Sequence, residues 1–347
     1  MEAFDAALEM LDGFGTEFGP GLSNHGPMAA EALTTLGRED VVERWVAAYR
    51  SRLEPREVER DPITAGDWRE ALGAPSRVGD WIAFFERELG DAGVDMVLAT
   101  WLPRLAPGAM AAAAHGIIRT AHAVRALGGA ASNELRRTEV ATGLGYWAAR
   151  YQELPGAPRP TGAKSALEAL DDVPVIAEAD RGAFLIFEQV RAVDAVSGFS
   201  AAVDSFGQPA DPDEALDAVI AAAAHAYVGC DRRTEIAFVH GVTGPSALRV
   251  LLPYLPDGDG RRLAVTYAWQ VVAAIRSAYG ARRLPDVVIP DAGAWDDLVD
   301  RAVADGDGDE HAIKMVEACR REHARTGSNV LVAAARRAAG APIAWDS

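Results

Sequence analysis

Apolar side chains recur along most of the chain at the three- and four-residue spacing of amphipathic helices. Trp45, Val46 and Tyr49, for example, fall on one helical face. The same spacing predicts helices over 4–12, 28–36, 41–49, 80–89, 91–102, 110–127, 133–152, 213–229, 245–255, 262–280, 293–304, 310–325 and 329–339. Strand signals are confined to two short segments flanked by proline, 173–176 and 287–289. The pattern therefore predicts an all-α fold.

Polar residues at the expected helix starts support these boundaries. Ser165 is followed three residues later by Glu168, which is the signature of a capping box. Asp80, Asp211 and Asp309 are predicted to be the N-caps of three further helices. Asp309 follows a glycine-rich breaker, so the helix after it should begin sharply.

A proline-rich stretch near the middle of the chain divides the predicted helices into two groups. Residues 155–162 contain three prolines and two glycines, a composition typical of a linker. We predict one large helical domain over 1–347, made of two helical halves, 1–155 and 165–347, that enclose a central site.

Composition and charge narrow the class of protein. The 347 residues are 49% hydrophobic and 24% charged, with a formal net charge of −17, which predicts a soluble, acidic, globular protein. Nucleic acid and anionic membranes are disfavoured as partners because both select basic surfaces. Two cysteines, Cys230 and Cys319, are too few and too far apart for a disulfide framework. The N-terminus lacks signal-peptide features, so we expect a cytoplasmic protein.

Histidines are the main candidates for chemistry, because phosphate-binding, dinucleotide-binding and nucleophile-elbow motifs are absent from the sequence. His25, His115 and His240 are each followed by glycine, which allows close approach of another backbone or a ligand. His115 and His122 are seven residues apart, about 10 Å along a helix. At most one of that pair can therefore bind a single metal ion.

One helix carries a histidine and an unusual lysine on the same face. Lysine and arginine total 34, yet only Lys164 and Lys314 are lysines. Lys314 lies one turn from His311. Unlike arginine, a desolvated lysine can lose its proton, and the neutral amine can take up carbon dioxide to become a carbamate ligand. The alternative is a helix-terminal histidine beside a lysine that extends to solvent.

Four segments in succession, 23–33, 115–119, 238–243 and 309–314, resemble the motifs of the questin oxidase-like family. The similarity runs from about residue 20 to residue 325. This family includes fungal enzymes that oxidise and open the rings of anthraquinones and related polyketides.

The resemblance implies a largely helical fold around a mononuclear non-haem iron, Fe2+. The implied ligands are His25, His115, His240, His311 and a carbamylated (carboxylated) Lys314. The first two come from the N-terminal half, so the metal would tie the halves together. One position of an octahedral ion would stay open for dioxygen or a substrate oxygen, and NADPH could act as an external reductant.

This chain departs from the fungal pattern in the second motif. The fungal members have His-Pro and a further histidine at the positions of Gly116 and Arg119. Arg119 is therefore a candidate catalytic residue that meets a phenolate or carboxylate of a different substrate. The alternative is an arginine exposed on the helix surface.

We predict a metal-dependent oxygenase that acts on an aromatic, polyketide-like molecule, by oxidative ring cleavage or a Baeyer–Villiger-type oxidation. Its expected partners are that substrate and dioxygen, with no nucleic acid and no membrane. Two alternatives are a zinc-dependent hydrolase or lyase on the same scaffold, and a non-enzymatic helical protein whose histidines are merely buried.

Overall fold

The structure is a computed structural model, and it describes residues 2–128, 133–256, 258–282, 295–304 and 308–342. Within these ranges it contains seventeen α-helices, several short 3₁₀ turns and a single two-stranded hairpin. The predicted all-α fold is confirmed.

The chain divides into two compact units. Unit 1 comprises Met1–Glu153 with Val250–Gly260, and unit 2 comprises Leu154–Arg249 with Arg261–Ser347. The arrangement as a single domain with a linker at 155–162 stays a prediction.

Unit 1 is built from eight helices and the hairpin. The helices are α1 (Glu2–Leu11), α2 (Gly26–Thr35), α3 (Glu39–Tyr49), α4 (Trp68–Ala71), α5 (Val78–Ala92), α6 (Val94–Leu105), α7 (His115–Leu127) and α8 (Glu134–Ala149). Strands β1 (Glu17–Phe18) and β2 (Leu22–Ser23) pair antiparallel, with Glu17 opposite Ser23. Helix α8 packs against both α5 and α7, and α2 packs against α7.

The core of unit 1 has an aromatic centre and unusually close helix contacts. Trp101 packs edge-on against Trp81 and Phe85, with ring centroids 5.8 and 5.0 Å away. A Cβ on Gly116 would lie 2.8 Å from the Cα atom of Trp147, and one on Gly143 would lie 2.8 Å from that of Thr120. Glycine at these two positions is therefore what lets α7 and α8 touch backbone to backbone.

Unit 2 contains nine helices, of which α13 runs two residues into the segment that belongs to unit 1. They are α9 (Ala166–Asp171), α10 (Ile186–Arg191), α11 (Phe199–Asp204), α12 (Pro212–Gly229), α13 (Glu235–Leu251), α14 (Asp259–Tyr279), α15 (Trp295–Ala302), α16 (Glu310–Thr326) and α17 (Asn329–Ala338). Helix α17 packs against α16 and α12, and α9 packs against α12.

Three of the four predicted N-caps are confirmed. Ser165 and Glu168 form the complete capping box, and Asp211 and Asp309 accept hydrogen bonds from backbone N–H groups of α12 and α16. Asp80 is not a cap, because α5 already begins at Val78. Its carboxylate instead accepts the N–H groups of Arg60 and Asp61, 2.6 and 3.0 Å away, and so secures a loop rather than its own helix.

Two prolines lie inside helices that were predicted to stop or start at them. Helix α6 continues past Pro103 to Leu105. Pro103, which lacks a backbone N–H, therefore lies in the last turn of the helix. Helix α13 runs unbroken through Pro245. Its residues on both sides of Pro245 are almost all buried, and this packing outweighs the hydrogen bond that proline removes.

The two strand signals do not produce strands in the described residues. Residues 173–176 form a loop in which the Ile176 N–H donates to the Ser277 carbonyl, 2.8 Å away. Residues 287–289 lie outside the described residues.

One helical stretch of the described chain, Arg232–Tyr254, is long and apolar enough to cross a membrane by length and composition. Of its apolar window, 78% is buried inside the protein, which is also how the core helix of a globular protein behaves.

Candidate metal centre

A left-handed turn sets the start of α7 and the direction of His115. Ala112, Ala113 and Ala114 all have positive φ angles, of 48°, 60° and 68°. Each such residue costs roughly 1–2 kcal/mol when it carries a Cβ. The predicted helix over 110–127 is therefore wrong in its first turn, since α7 begins at His115. Strain of this kind is typical of functional sites.

The turn places two imidazoles nitrogen to nitrogen. His115 Nδ1 lies 2.5 Å from the carbonyl oxygen of Ala112, which can only accept, so this contact requires the proton on Nδ1. The other ring nitrogen, Nε2, then has a lone pair and lies 3.1 Å from Nε2 of His25. Both side chains are buried.

His25 is fixed by its neighbours at the N-terminus of α2. Asn24 accepts the N–H of Gly26 at 2.9 Å and donates to the carbonyl of Gly15 at 2.8 Å. The backbone N–H of His25 donates to the hydroxyl of Tyr49, 2.7 Å away. The imidazole therefore projects from a backbone held on both sides.

A buried glutamate ties together the two helices that carry these histidines. Glu31 on α2 contacts Nδ1 of His122 at 2.6 Å and accepts from Nε of Arg125 at 2.8 Å, both on α7. Its burial would raise its pKa, but the contacts with His122 and Arg125 outweigh this and hold the pKa at about 2. Nδ1 of His122 is thus engaged by Glu31, and the statement that at most one of His115 and His122 binds a single metal ion stays a prediction.

Unit 2 contains the other predicted imidazoles. The ring of His240, in the middle of α13, lies edge-on to that of His311 with centroids 5.5 Å apart. His240 is almost fully buried, and the side chain of His311 is 15% exposed. Asp309 accepts the N–H groups of His311 and Ala312, at 2.8 and 3.0 Å, so α16 begins where the sequence predicted.

Lys314 is completely enclosed. Its side chain is 1% exposed, although it carries an ionisable amine. Burial lowers the pKa of Lys314 to about 7, against an opposing effect of Glu310 and Asp309. A large fraction of the amine is therefore neutral at physiological pH. The alternative of a Lys314 side chain extended to solvent is therefore wrong. Lys164, the other lysine, is exposed and paired with Asp172.

Helices α13 and α16 are joined by a second buried carboxylate. Glu322 accepts from Ser246 Oγ at 2.9 Å, from Arg249 Nε at 2.8 Å and from Arg321 Nη1 at 2.7 Å. Ser246 lies six residues after His240, and Glu322 lies on the helix of His311 and Lys314. This network keeps the histidine-bearing helices of unit 2 in register.

Arg119 is neither exposed nor unpaired, so the alternative of a surface arginine is wrong. Its Nε and Nη2 atoms donate to the two oxygens of Glu139, at 2.7 and 2.9 Å. The third nitrogen, Nη1, is shielded from solvent and has no hydrogen-bond partner in the part of the chain that the structure describes. Arg119 and Asn24 line a cavity of about 40 Å³, room for a few water molecules.

The remaining histidines and tryptophans have other roles. His225 and His323 are half-buried, and His323 packs against Trp295. Trp147 and Trp269 are fully buried core residues whose indole N–H groups donate to backbone carbonyls.

Within each unit, the predicted ligands thus form a cluster. His25 and His115 meet in unit 1, and His240 and His311 are neighbours in unit 2, where Lys314 lies one turn further along α16. Sequence reasoning missed the carbonyl of Ala112 and the carboxylates of Glu31 and Glu322. Only the acidity of Glu31 and Glu322 on otherwise apolar helix faces could have signalled the last two.

Comparison with known proteins identifies the family of the chain. A family model described as questin oxidase-like matches residues 22–319. The chain belongs to the questin oxidase-like family. The matched range contains all five predicted ligands and Arg119. No curated protein matches the sequence. Membership of the questin oxidase-like family suggests an oxidoreductase that acts on polyketide-type molecules.

Proposed function

We propose that this protein is a non-haem iron oxygenase that oxidises an aromatic polyketide-like molecule, by ring cleavage or Baeyer–Villiger-type oxidation. The proposed ligands are the four histidines of the two clusters (His25, His115, His240, His311) and carbamylated Lys314. One observation carries the proposal: the 3.1 Å separation of the His25 and His115 Nε2 atoms.

That separation suits two neighbouring ligands of one ion. Nitrogen ligands at about 2.1 Å from a metal and at right angles to each other are about 3.0 Å apart. The carbonyl of Ala112 holds the proton of His115 on Nδ1, which leaves Nε2 to coordinate. Imidazole nitrogen is a common ligand of iron.

The environment of Lys314 fits carbamate formation. The neutral amine attacks carbon dioxide, a C–N bond forms, and the amine proton leaves to solvent. A pKa of about 7 makes that neutral amine abundant. The product is an anionic oxygen ligand where a buried ammonium would be costly. Together with four neutral imidazoles, the anionic carbamate would lower the positive charge of the iron site. An Fe(II) ion held by these ligands would supply activation of dioxygen, with NADPH as the proposed external reductant.

Arg119 is proposed to orient the substrate. Glu139 neutralises its charge and fixes the guanidinium plane, while Nη1 keeps one donor directed away from Glu139. A phenolate or carboxylate oxygen of the substrate would accept from that donor. The small cavity at Arg119 suits one such substituent rather than a whole ring.

The presence of only two lysines allows a direct test of the carbamate. Protein purified without oxygen and equilibrated with 13C-bicarbonate should show a lysine carbamate resonance by NMR. Lys314→Ala should abolish the resonance, the bound iron and substrate-dependent oxygen uptake. Lys164→Ala, which removes the exposed lysine, should retain all three.

Full iron content and oxygen uptake in Lys314→Ala would overturn the ligand role of this residue. Stoichiometric zinc without oxygen uptake would favour the hydrolase alternative, and the absence of any metal would favour a binding protein.

A further inference from the structure

Three arginines line an open pocket of unit 2. None of the proposed metal ligands is among the lining residues. The pocket measures about 660 Å³, within the usual range of small-molecule sites. It lies where α12 and α14 end, beside the loop that follows the 3₁₀ turn Glu178–Asp180. Arg181, Arg276 and Arg282 line it.

In the described part of unit 2, no carboxylate forms an ion pair with any of the three arginines, although Asp171 lies near Arg276 and Arg282. Arg181 donates instead to the carbonyl of Ile176, at 3.0 and 2.7 Å, and to that of Tyr279, at 2.6 Å. The acidic residue in the lining, Asp231, accepts from Nε of Arg233 at 3.1 Å.

Arg276 has a donor without an acceptor. Its Nη1 atom is shielded from solvent and has no hydrogen-bond partner among the described residues. Burial lowers the pKa of Arg276; attraction to Asp171 opposes the shift and repulsion from Arg181 adds to it. A buried donor without an acceptor is costly, so an acceptor supplied by a ligand would stabilise the protein.

The donors converge because a glycine leaves the space between them clear. A Cβ on Gly280 would lie 3.4 Å from Nη2 of Arg181 and 3.9 Å from Nη1 of Arg276. Both guanidinium groups therefore reach one region of the pocket. The pocket is not explained as a site of thiol chemistry, since Cys230 donates to the carbonyl of Tyr227 and burial raises the pKa of Cys230 to about 11.

We propose that this pocket binds the oxyanion of an organic phosphate or carboxylate, with Arg276 and Arg181 as the main charged contacts and Arg282 at the rim. The volume exceeds that of a bare ion, and Val175 and Val228 offer apolar surface to the rest of the molecule. Guanidinium groups are the preferred partners of both oxyanions. Three neighbouring arginines without an ion pair in the described part of unit 2 are unexpected in a chain of net charge −17. The proposal does not rest on the oxygenase function.

Binding can be measured on the full chain by calorimetry and thermal unfolding at constant ionic strength. The probes are inorganic pyrophosphate for the phosphate arm and benzoate for the carboxylate arm, each against sodium chloride. We expect one or both to bind and to raise the Tm. Arg276→Gln should weaken binding roughly tenfold or more, because a charge-assisted contact is lost.

Two further variants keep the test decisive. Arg282→Gln changes an exposed side chain and should weaken binding even if Arg276→Gln folds poorly. Arg301→Gln removes an arginine that is paired with Asp297 on α15, and should leave binding unchanged. The probe that binds more tightly identifies the source of the oxyanion. If neither probe binds the wild-type chain, or if Arg276→Gln and Arg282→Gln both bind like wild type, the proposal is wrong.

Discussion

Arg119 and Glu139 show how a candidate catalytic residue depends on a partner that the sequence does not reveal. Arg119 is a candidate catalytic residue because it lies one turn after His115, where the fungal members of the family have a histidine. Glu139 lies twenty residues later, on α8, and becomes its partner only through the packing of α7 against α8. Both side chains are less than a tenth exposed, so their energies are coupled.

The pair predicts a non-additive pattern of stability. Arg119→Met should lower the free energy of unfolding by about 3–5 kcal/mol, because it leaves the charge of Glu139 buried without a partner. The double variant Arg119→Met/Glu139→Met should recover most of this loss. Urea unfolding of the two single variants and the double variant measures the coupling.

The same double variant separates structure from substrate binding. If Nη1 of Arg119 contacts a substrate oxyanion, the stable double variant should have a KM raised roughly tenfold. An unchanged KM in the recovered protein would limit Arg119 to a structural role.

At the scale of single elements, hydrophobic spacing predicted most helices to within a few residues but misjudged α5, α6, α7 and α13 at their ends. Spacing reports which face is buried, and not where tertiary contacts override local preference. The left-handed turn at 112–114 is the clearest case. A run of alanines is the strongest local signal for helix, yet here it adopts positive φ.

The strain in that turn can be measured with two matched glycines. Ala113 and Ala121 are both buried, 4% and 2% exposed, so replacement by glycine removes a comparable methyl group. Ala121→Gly lies inside α7 and should destabilise by at least about 1 kcal/mol. Ala113→Gly should cost about 1–2 kcal/mol less, because glycine accepts positive φ without strain. Equal losses in thermal unfolding would mean that the turn is not strained.

Glu31 predicts the pH dependence of the contact between α2 and α7. The pKa of Glu31 falls from 4.5 to about 2 on folding, so its contribution to stability is fully present above about pH 4.5. The contribution, on the order of 3 kcal/mol, is lost as the pH falls towards 2.

Glu31→Gln should therefore lower stability at pH 7 and flatten the decline between pH 4.5 and pH 2. Glu39→Gln, on the exposed start of α3, should leave the profile unchanged. Chemical unfolding at several pH values compares the three proteins. If the stability of wild type and Glu31→Gln declined in parallel between pH 4.5 and pH 2, Glu31 would not be the source of this pH dependence.

At the scale of the whole molecule, the two units repeat one design with different residues. Each carries two of the proposed histidine ligands on or directly before a pair of helices, and each pair of helices is joined by a buried glutamate, Glu31 in unit 1 and Glu322 in unit 2. The order of motifs along the chain was enough to predict the family, and the assignment of metal ligands within those motifs stays a prediction. The inclusion of 250–260 in unit 1 could not be predicted, because it follows from contacts with α6 that are remote in sequence.

If the four histidines and Lys314 bind one ion, metal should stabilise both units together. Binding that is specific to the folded state contributes about 2.7 kcal/mol at a free metal concentration one hundred times the Kd. Removal of iron by a chelator should then reduce hydrogen-exchange protection in α7 and in α16 to a similar extent, by local opening. Lys314→Ala should reproduce both changes, although the residue belongs to unit 2.

Lys164→Ala is the matched control and should respond to chelator like wild type. Loss of protection in α16 of Lys314→Ala with α7 unchanged would mean that the clusters do not share an ion. The iron-oxygenase proposal would then have to be rebuilt on one unit alone.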